Sequence, residues 1–245
     1  LKVTGYVMAA APFAVFGAIA YTVSLQGLGV IVDYSRLVGS FFLALFILWA
    51  VLIAAGFLVL GPRVFKLIWG VRAPGLIAFA TASSEAAYPR LLEQLERHGI
   101  ANRVVSFVLP LGYSFNLDGS MMYCTFAVMF IAQAMGIHLD IGQQLGMLLL
   151  LMVTSKGIAG VPRASLVVIS ATLPAMGMKP EWIALVLAVD AFMDMGRTAT
   201  NVIGNSIASA VIAKWEGLLS DPTKDTPAVE SVLGPEESEG RAANT

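Results

Sequence analysis

Five polar side chains fall at helical spacing inside an otherwise apolar stretch. They are Asp190, Asp194, Arg197, Asn201 and Asn205, separated by four, three, four and four residues. At about 100° per residue they share an arc of about 80° on one helical face. The segment around them, from about Trp182 to Lys214, otherwise suits hydrocarbon. An ionisable group at membrane depth costs about 2.5–3.5 kcal/mol on insertion scales, and such groups usually face a polar cavity or pathway. Two readings fit the pattern. The stripe either neutralises itself as salt bridges between packed helices, or it is a ligand-binding face.

The elements that must position this face follow from composition. With 58% hydrophobic and 13% charged residues and a mean hydropathy of +0.80, the chain is a multi-spanning helical membrane protein rather than a soluble domain. Several apolar runs approach or exceed the roughly 20 residues that cross a bilayer. The short alternating segments of a closed barrel are absent from the sequence. One cysteine, Cys124, excludes an internal disulfide framework, and no Cys/His spacing suits a metal. His98 and His138 stand alone as loop residues. There is no initiator Met and no signal-peptide pattern, because Leu1 opens directly into apolar sequence, as in the C-terminal part of a longer polypeptide.

In chain order, residues 1–23 read as one span, and Asp33 to Arg36 as a short polar connection. Leu37 to Leu60 is a second span without an ionisable group, ended by Gly61-Pro62-Arg63. The piece from Val64 to Ala82 is too short and too interrupted to cross fully. It leads into Thr81-Ala-Ser83-Ser84-Glu85, small and polar with an acid, and then into a second helical piece. A half-crossing that enters, turns and returns accounts for it; a surface helix with a soluble loop is the alternative. Val104 to Met135 is broken at Tyr113-Ser-Phe-Asn116-Leu-Asp118-Gly119-Ser120, where freed carbonyls and side chains suit an ion. Asp118 is read there as a cation ligand in preference to a partner for Arg197. Gly146 to Thr172 repeats the hairpin theme around Ser155-Lys-Gly-Ile-Ala-Gly-Val161-Pro162-Arg163.

Two interrupted segments, each followed by a span with mid-membrane polar groups, amount to an internal repeat of the kind found in secondary transporters. Arg63, Lys66, Arg72, Arg90, Arg97, Arg103 and Lys214 fall on one side, which the positive-inside rule makes cytoplasmic. The tail from residue 218 holds six acids against two bases and has no apolar periodicity, so it reads as disordered on the same side. The chain divides into two membrane helices over 1–62, a core over 63–217 and this acidic tail over 218–245.

Four motifs occur together in order: Thr81-Ala-Ser-Ser-Glu, Gly112-Tyr-Ser-Phe-Asn-Leu-Asp-Gly-Ser, Ser155-Lys-Gly-Ile-Ala-Gly-Val-Pro, and Asp194-Met-Gly-Arg-Thr-Ala-Thr-Asn-Val-Ile-Gly-Asn. They resemble the dicarboxylate/amino acid:cation symporter family, which includes bacterial glutamate/aspartate carriers, C4-dicarboxylate carriers and animal excitatory amino-acid transporters. The resemblance covers nearly all of residues 1–217. It implies an all-α membrane protein with two re-entrant helical hairpins, a broken helix and an elevator-type transport domain, assembled as a homotrimer. This chain corresponds to the fifth family helix onward. The location implied is the cell inner membrane.

The resemblance also implies roles. Arg197 would pair with the substrate's side-chain carboxylate, and Asp194 would hold its α-ammonium. Thr198, Asn201 and Ser120 would hydrogen-bond the ligand. Ser83, Ser84 and Val161 would clamp the α-carboxylate at the hairpin tips. Gly112, Ser114, Asn116, Asp118, Ser155, Asn201, Asn205 and Glu85 outline the cation sites, with Na+ possible at Asn116, Asp118 and Asn201. The C4-dicarboxylate carriers have a serine at position 194, so acidic amino acids are favoured over succinate-like substrates. Asn205 replaces an aspartate of sodium-coupled members, and Glu85 matches proton-coupled ones, so H+ is slightly favoured over Na+.

Arg163 follows Pro162 where many bacterial members have glycine, and its role is open. No cofactor, nucleic-acid partner or covalent chemistry is expected. Ser83 or Ser84 beside Glu85 is a weak hint of a nucleophile without a histidine. A fragment that needs its scaffold helices from elsewhere is a further reading.

Overall fold

Apolar runs form the helices, and glycine, proline and small polar residues set their ends. The computed structural model describes residues 27–115, 117–156 and 161–220, together with Phe13, Phe16, Gly17, Ala20, Val23 and Ser24. Most of the expected first span, Asn116, residues 157–160 and the tail beyond Ser220 thus lie outside the described residues. No strand occurs among the described residues.

Helix α1 runs Gly29–Leu60 and stops at Gly61, whose φ of 63° is one that glycine adopts without strain. The polar connection expected at Asp33–Arg36 is instead part of this helix. Tyr34, Leu37, Phe41 and Leu45 form one buried stripe that carries the helix through those residues, while Asp33 and Arg36 face outward. Its other side exposes Leu43, Ile47, Val51 and Leu58, as a lipid-facing surface would. Helices α2 (Arg63–Gly70) and α3 (Arg72–Thr81) meet at a 45° bend. A turn at Ala82, with φ 48°, reverses the chain into α4 (Ser84–Arg97), and Ser83 caps α4 by accepting from the Ala86 N–H at 3.3 Å.

Helix α5 (Asn102–Phe115) and helix α6 (Asp118–Ala134) are the two halves of the expected interrupted segment. Helix α7 (Ile141–Thr154) begins with a reciprocal Asp140–Gln143 capping box. Helix α8 (Ala164–Ala175) follows the second interruption. A 3-10 turn (Pro180–Ile183) and a short α9 (Ala184–Leu187) lead into α10 (Asp190–Trp215). The apolar segment from Trp182 to Lys214 is therefore not one continuous helix: it is interrupted at Ala188–Val189, and Asp190 opens α10.

Among the described residues, Gly29–Leu60 and Asn102–Ala134 are long and apolar enough to cross a membrane, and the bent α2–α3 pair would make a third span. Helix α10 is central: α1, α3, α5 and α6 all pack on it, and 18 of its 26 residues are buried. Its polar face therefore meets protein rather than lipid. One apolar cluster gathers α1, α6, α7, α8 and α9 and reaches α10 at Met193. A second gathers α2 to α5 and reaches α10 from Val202 to Ala213. The stretch Asp194–Asn201 lies between the two. Leu218–Ser220, expected to belong to the loose tail, are anchored instead: Leu219 bridges Ile100, and the Ser220 N–H donates to the Gly99 carbonyl at 2.9 Å.

Candidate functional site

Among the described residues Arg197 is the largest fully buried side chain, at 2% exposure, and its guanidinium is used in three directions. Nε donates to Asp194 Oδ1 one turn back on α10. One terminal nitrogen donates to Ser120 Oγ at 2.9 Å, and the other to the Val161 carbonyl at 3.2 Å. Arg197 thus joins α10, the start of α6 and the connection before α8. A guanidinium spreads its donors over three nitrogens in a fixed plane, whereas an ammonium carries its three on one atom.

Asp194 completes the other half. Its second oxygen accepts from the Arg163 backbone N–H at 2.8 Å. Thr198 donates back to the Asp194 carbonyl at 2.7 Å. Asn201 bridges α10 to α6 twice: its amide nitrogen donates to Ser120 Oγ at 3.1 Å, and its oxygen accepts from the Gly119 N–H at 2.9 Å. Gly119 is required here, because a Cβ would run into the Arg197 backbone carbonyl. A close approach of α6 and α10 therefore holds Ser120 against both Arg197 and Asn201.

The structure thus brings together Arg197, Asp194, Thr198, Asn201, Ser120 and Val161. The two serines of the first turn sit apart in their bonding. Ser84 is buried, and its carbonyl accepts from the Tyr113 hydroxyl at 3.2 Å, while Ser83 serves as the α4 cap. Of the expected cation residues, Gly112 and Asn205 face each other so closely that a Cβ on Gly112 would strike the Asn205 amide. Asp118 opens α6 in a half-buried position. Ser114 and Ser155 each donate to a carbonyl of their own helix at 3.5 Å, from Pro110 and Met152. Glu85 is exposed in the first turn of α4, and Asn116 lies outside the described residues.

Three residues without an expected role belong to this region. Arg163 approaches Asp190 with Nε 3.3 Å from Oδ2, and Tyr123 donates to the other Asp190 oxygen at 2.6 Å. Lys156 donates to the Phe115 carbonyl at 2.8 Å, so a cationic group sits on the open C-terminal end of α5. The available signal was charge: Lys156 and Arg163 are the two basic residues inside the apolar run from Gly146 to Leu173.

The profile of the sodium:dicarboxylate symporter family matches residues 1–215. The chain is 43% identical over 224 residues to a proton/sodium-glutamate symport protein of Bacillus subtilis, covering 91% of this chain and 52% of that protein. It is 45% identical over 216 residues to a protein of the same description from Bacillus caldotenax, covering 88% of this chain and 51% of that one. A C4-dicarboxylate transport protein of Stenotrophomonas maltophilia is 44% identical over 219 residues, covering 89% of this chain and 49% of its own length. The chain therefore spans about half the length of these relatives. The names are those of transporters, not enzymes, and both substrate classes occur at similar identity. This chain belongs to the sodium:dicarboxylate symporter family.

Proposed function

We propose that this chain carries the transport core of a symporter for acidic amino acids, driven by a cation gradient. One observation carries the reading: Asp194 and Arg197, buried and opposite in charge, are paired among hydroxyl, amide and carbonyl partners. Glutamate and aspartate bear an α-ammonium and two carboxylates. Arg197 offers a bidentate fork to a carboxylate, and Asp194 offers a carboxylate to the ammonium. Each is held in place by its present partners, so the ligand exchanges bonds rather than meeting bare charge. Ser120, Thr198 and Asn201 supply hydrogen bonds beside them, and Ser83, Ser84 and Val161 the clamp on the α-carboxylate.

In this reading α3–α4 and α7–α8 are re-entrant hairpins, and the connection at Val161 is the gate. The core moves as an elevator-type unit within a homotrimer of the complete polypeptide, in the cell inner membrane. The coupling ion is H+ in preference to Na+, because Asn205 supplies an amide rather than a carboxylate. Sodium, where used, would meet Asp118, Asn116, Ser114, Ser155, Asn201 and the Gly112 carbonyl.

A C4-dicarboxylate is the second reading, favoured by the names of relatives such as the Stenotrophomonas maltophilia protein. Such a ligand has no ammonium, so Asp194 would face an unpaired and repelling carboxylate. Uptake of labelled glutamate, aspartate and succinate by the complete polypeptide in proteoliposomes, with proton and sodium gradients imposed separately, tests both. Glutamate or aspartate uptake under a proton gradient is expected. Uptake of succinate alone would replace the first reading by the second.

A further inference from the structure

Arg163 is held on α10 by two contacts, its N–H on Asp194 and its guanidinium on Asp190. Its backbone is left-handed, with φ 64°, a conformation uncommon for a residue with a side chain. Its side chain is 28% exposed, whereas that of Asp190 is 0% exposed. The arginine can therefore leave toward solvent, and the aspartate cannot follow.

Among the described residues, the charged and titratable groups facing Asp190 are Tyr123 from α6, Arg163 from the connection, and Asp194 and Arg197 from its own helix. Arg197 is committed to Asp194, Ser120 and the Val161 carbonyl. Arg163 is thus the counter-charge of Asp190, and the two arginines and two aspartates sum to zero.

Both contacts of Arg163 are made by one residue. A movement that frees Asp194 for a ligand's ammonium also draws Arg163 away from Asp190. The aspartate would then keep the Tyr123 hydroxyl at 2.6 Å and a like-charged neighbour, with no cation of its own. A buried carboxylate in that position neutralises by binding a proton.

We propose that Asp190 is a proton-binding site of the transport cycle, loaded when Arg163 parts from it and emptied when Arg163 returns. This rests on the symport reading above. The proton comes from water on the open side and sits on Asp190 Oδ2. While a ligand's ammonium replaces the Arg163 N–H on Asp194, the ion pair stays parted and the proton travels with the ligand. On release of the ligand the guanidinium returns and the proton leaves to water on the other side. One proton thus accompanies one anionic ligand.

The test uses the complete polypeptide in sodium-free proteoliposomes with labelled glutamate. The quantity read is the ratio of uptake under an inward proton gradient to exchange at equal pH. Asp190→Asn still accepts the Tyr123 hydrogen bond but cannot bind the proton, so the ratio should fall to unity. Arg163→Gln should do the same, because Asp190 then stays protonated throughout. Arg163→Lys restores a cation and should retain the stimulation, which a merely structural role for Arg163 would not predict. Undiminished stimulation in Asp190→Asn, or equal ratios in Arg163→Gln and Arg163→Lys, would overturn the inference alone. Absence of glutamate exchange in the unsubstituted protein would overturn the symport reading, and the inference with it.

Discussion

Replacing Arg197 by lysine keeps the positive charge but removes the fork that reaches Asp194, Ser120 and Val161 at once. Toward a ligand's carboxylate an ammonium gives one hydrogen bond where the fork gives two, and the bond lost is worth about 1.5–3 kcal/mol. Arg197→Lys should therefore bind glutamate at least about tenfold more weakly, measured by titration calorimetry on the complete polypeptide. Undiminished affinity would remove Arg197 from the site. Asp194→Ser removes the acid that disfavours a ligand without an ammonium. It should move preference from glutamate toward succinate in competition uptake, and an unchanged order of preference would sink that role for Asp194. At this scale the residue types were legible but their partners were not. Helical spacing orders Asp190, Asp194 and Arg197 on one face, yet it says nothing of what lies across from them. The salt-bridge reading describes Asp194 and Arg197, which pair with each other along the helix; the ligand face is the proposal made above. Asp190 finds its partner in Arg163, on a different element.

Between elements, two glycines make opposite demands. At Gly119 the obstacle is the Arg197 backbone carbonyl, which cannot rotate away, so Gly119→Ala must push α6 off α10. At Gly196 a Cβ would meet the ends of the Leu45 and Phe42 side chains at 2.9 and 3.0 Å, which can turn. Overpacking without relief costs about 1–3 kcal/mol. Gly119→Ala should thus lower the thermal unfolding temperature more than Gly196→Ala and should also weaken ligand binding. Equal effects of the two would show that α6 and α10 can separate at little cost. Helix existence was readable from apolar runs, and the breaks from Gly61, the 81–85 turn and the Asn-Leu-Asp-Gly stretch. Two boundaries were not. Asp33 and Arg36 looked like a connection, because a sequence shows polarity but not that α1 turns those side chains outward while Tyr34 and Leu37 face in. The break at Ala188–Val189 carries no glycine or proline at all.

Across the whole molecule, the ends of α1, α4 and α10 and the starts of α2 and α5 meet at one basic pole. Lys214 donates to the Val59 carbonyl there, Pro62, Arg63, Lys214 and Gly217 line one small pocket, and His98 feels both Arg63 and Lys66. Burial first, and the charge of Arg63 next, push the His98 imidazole below its ordinary range, although a hydrogen bond that the imidazole donates to the Arg63 backbone opposes them. As pH falls below about 6.5 the unfolded chain takes up the proton before the folded one does, so stability declines through that window. His98→Gln should flatten the acid decline in unfolding temperature and leave the alkaline side nearly unchanged; an unaltered decline would place its cause elsewhere. The same pole fixes a prediction of orientation. The positive-inside rule would set Arg63, Lys66, Arg72, Arg90, Arg97, Arg103 and Lys214 on the cytoplasmic side, and Ser220 is tied to this pole through Gly99. A cysteine placed at Ser220 in the complete polypeptide should react with a membrane-impermeant maleimide in inverted vesicles and not in intact cells. Labelling from outside intact cells would reverse the orientation, placing the acidic tail and the basic pole on the outer face. The gate proposed at Val161 would then open toward the cytoplasm.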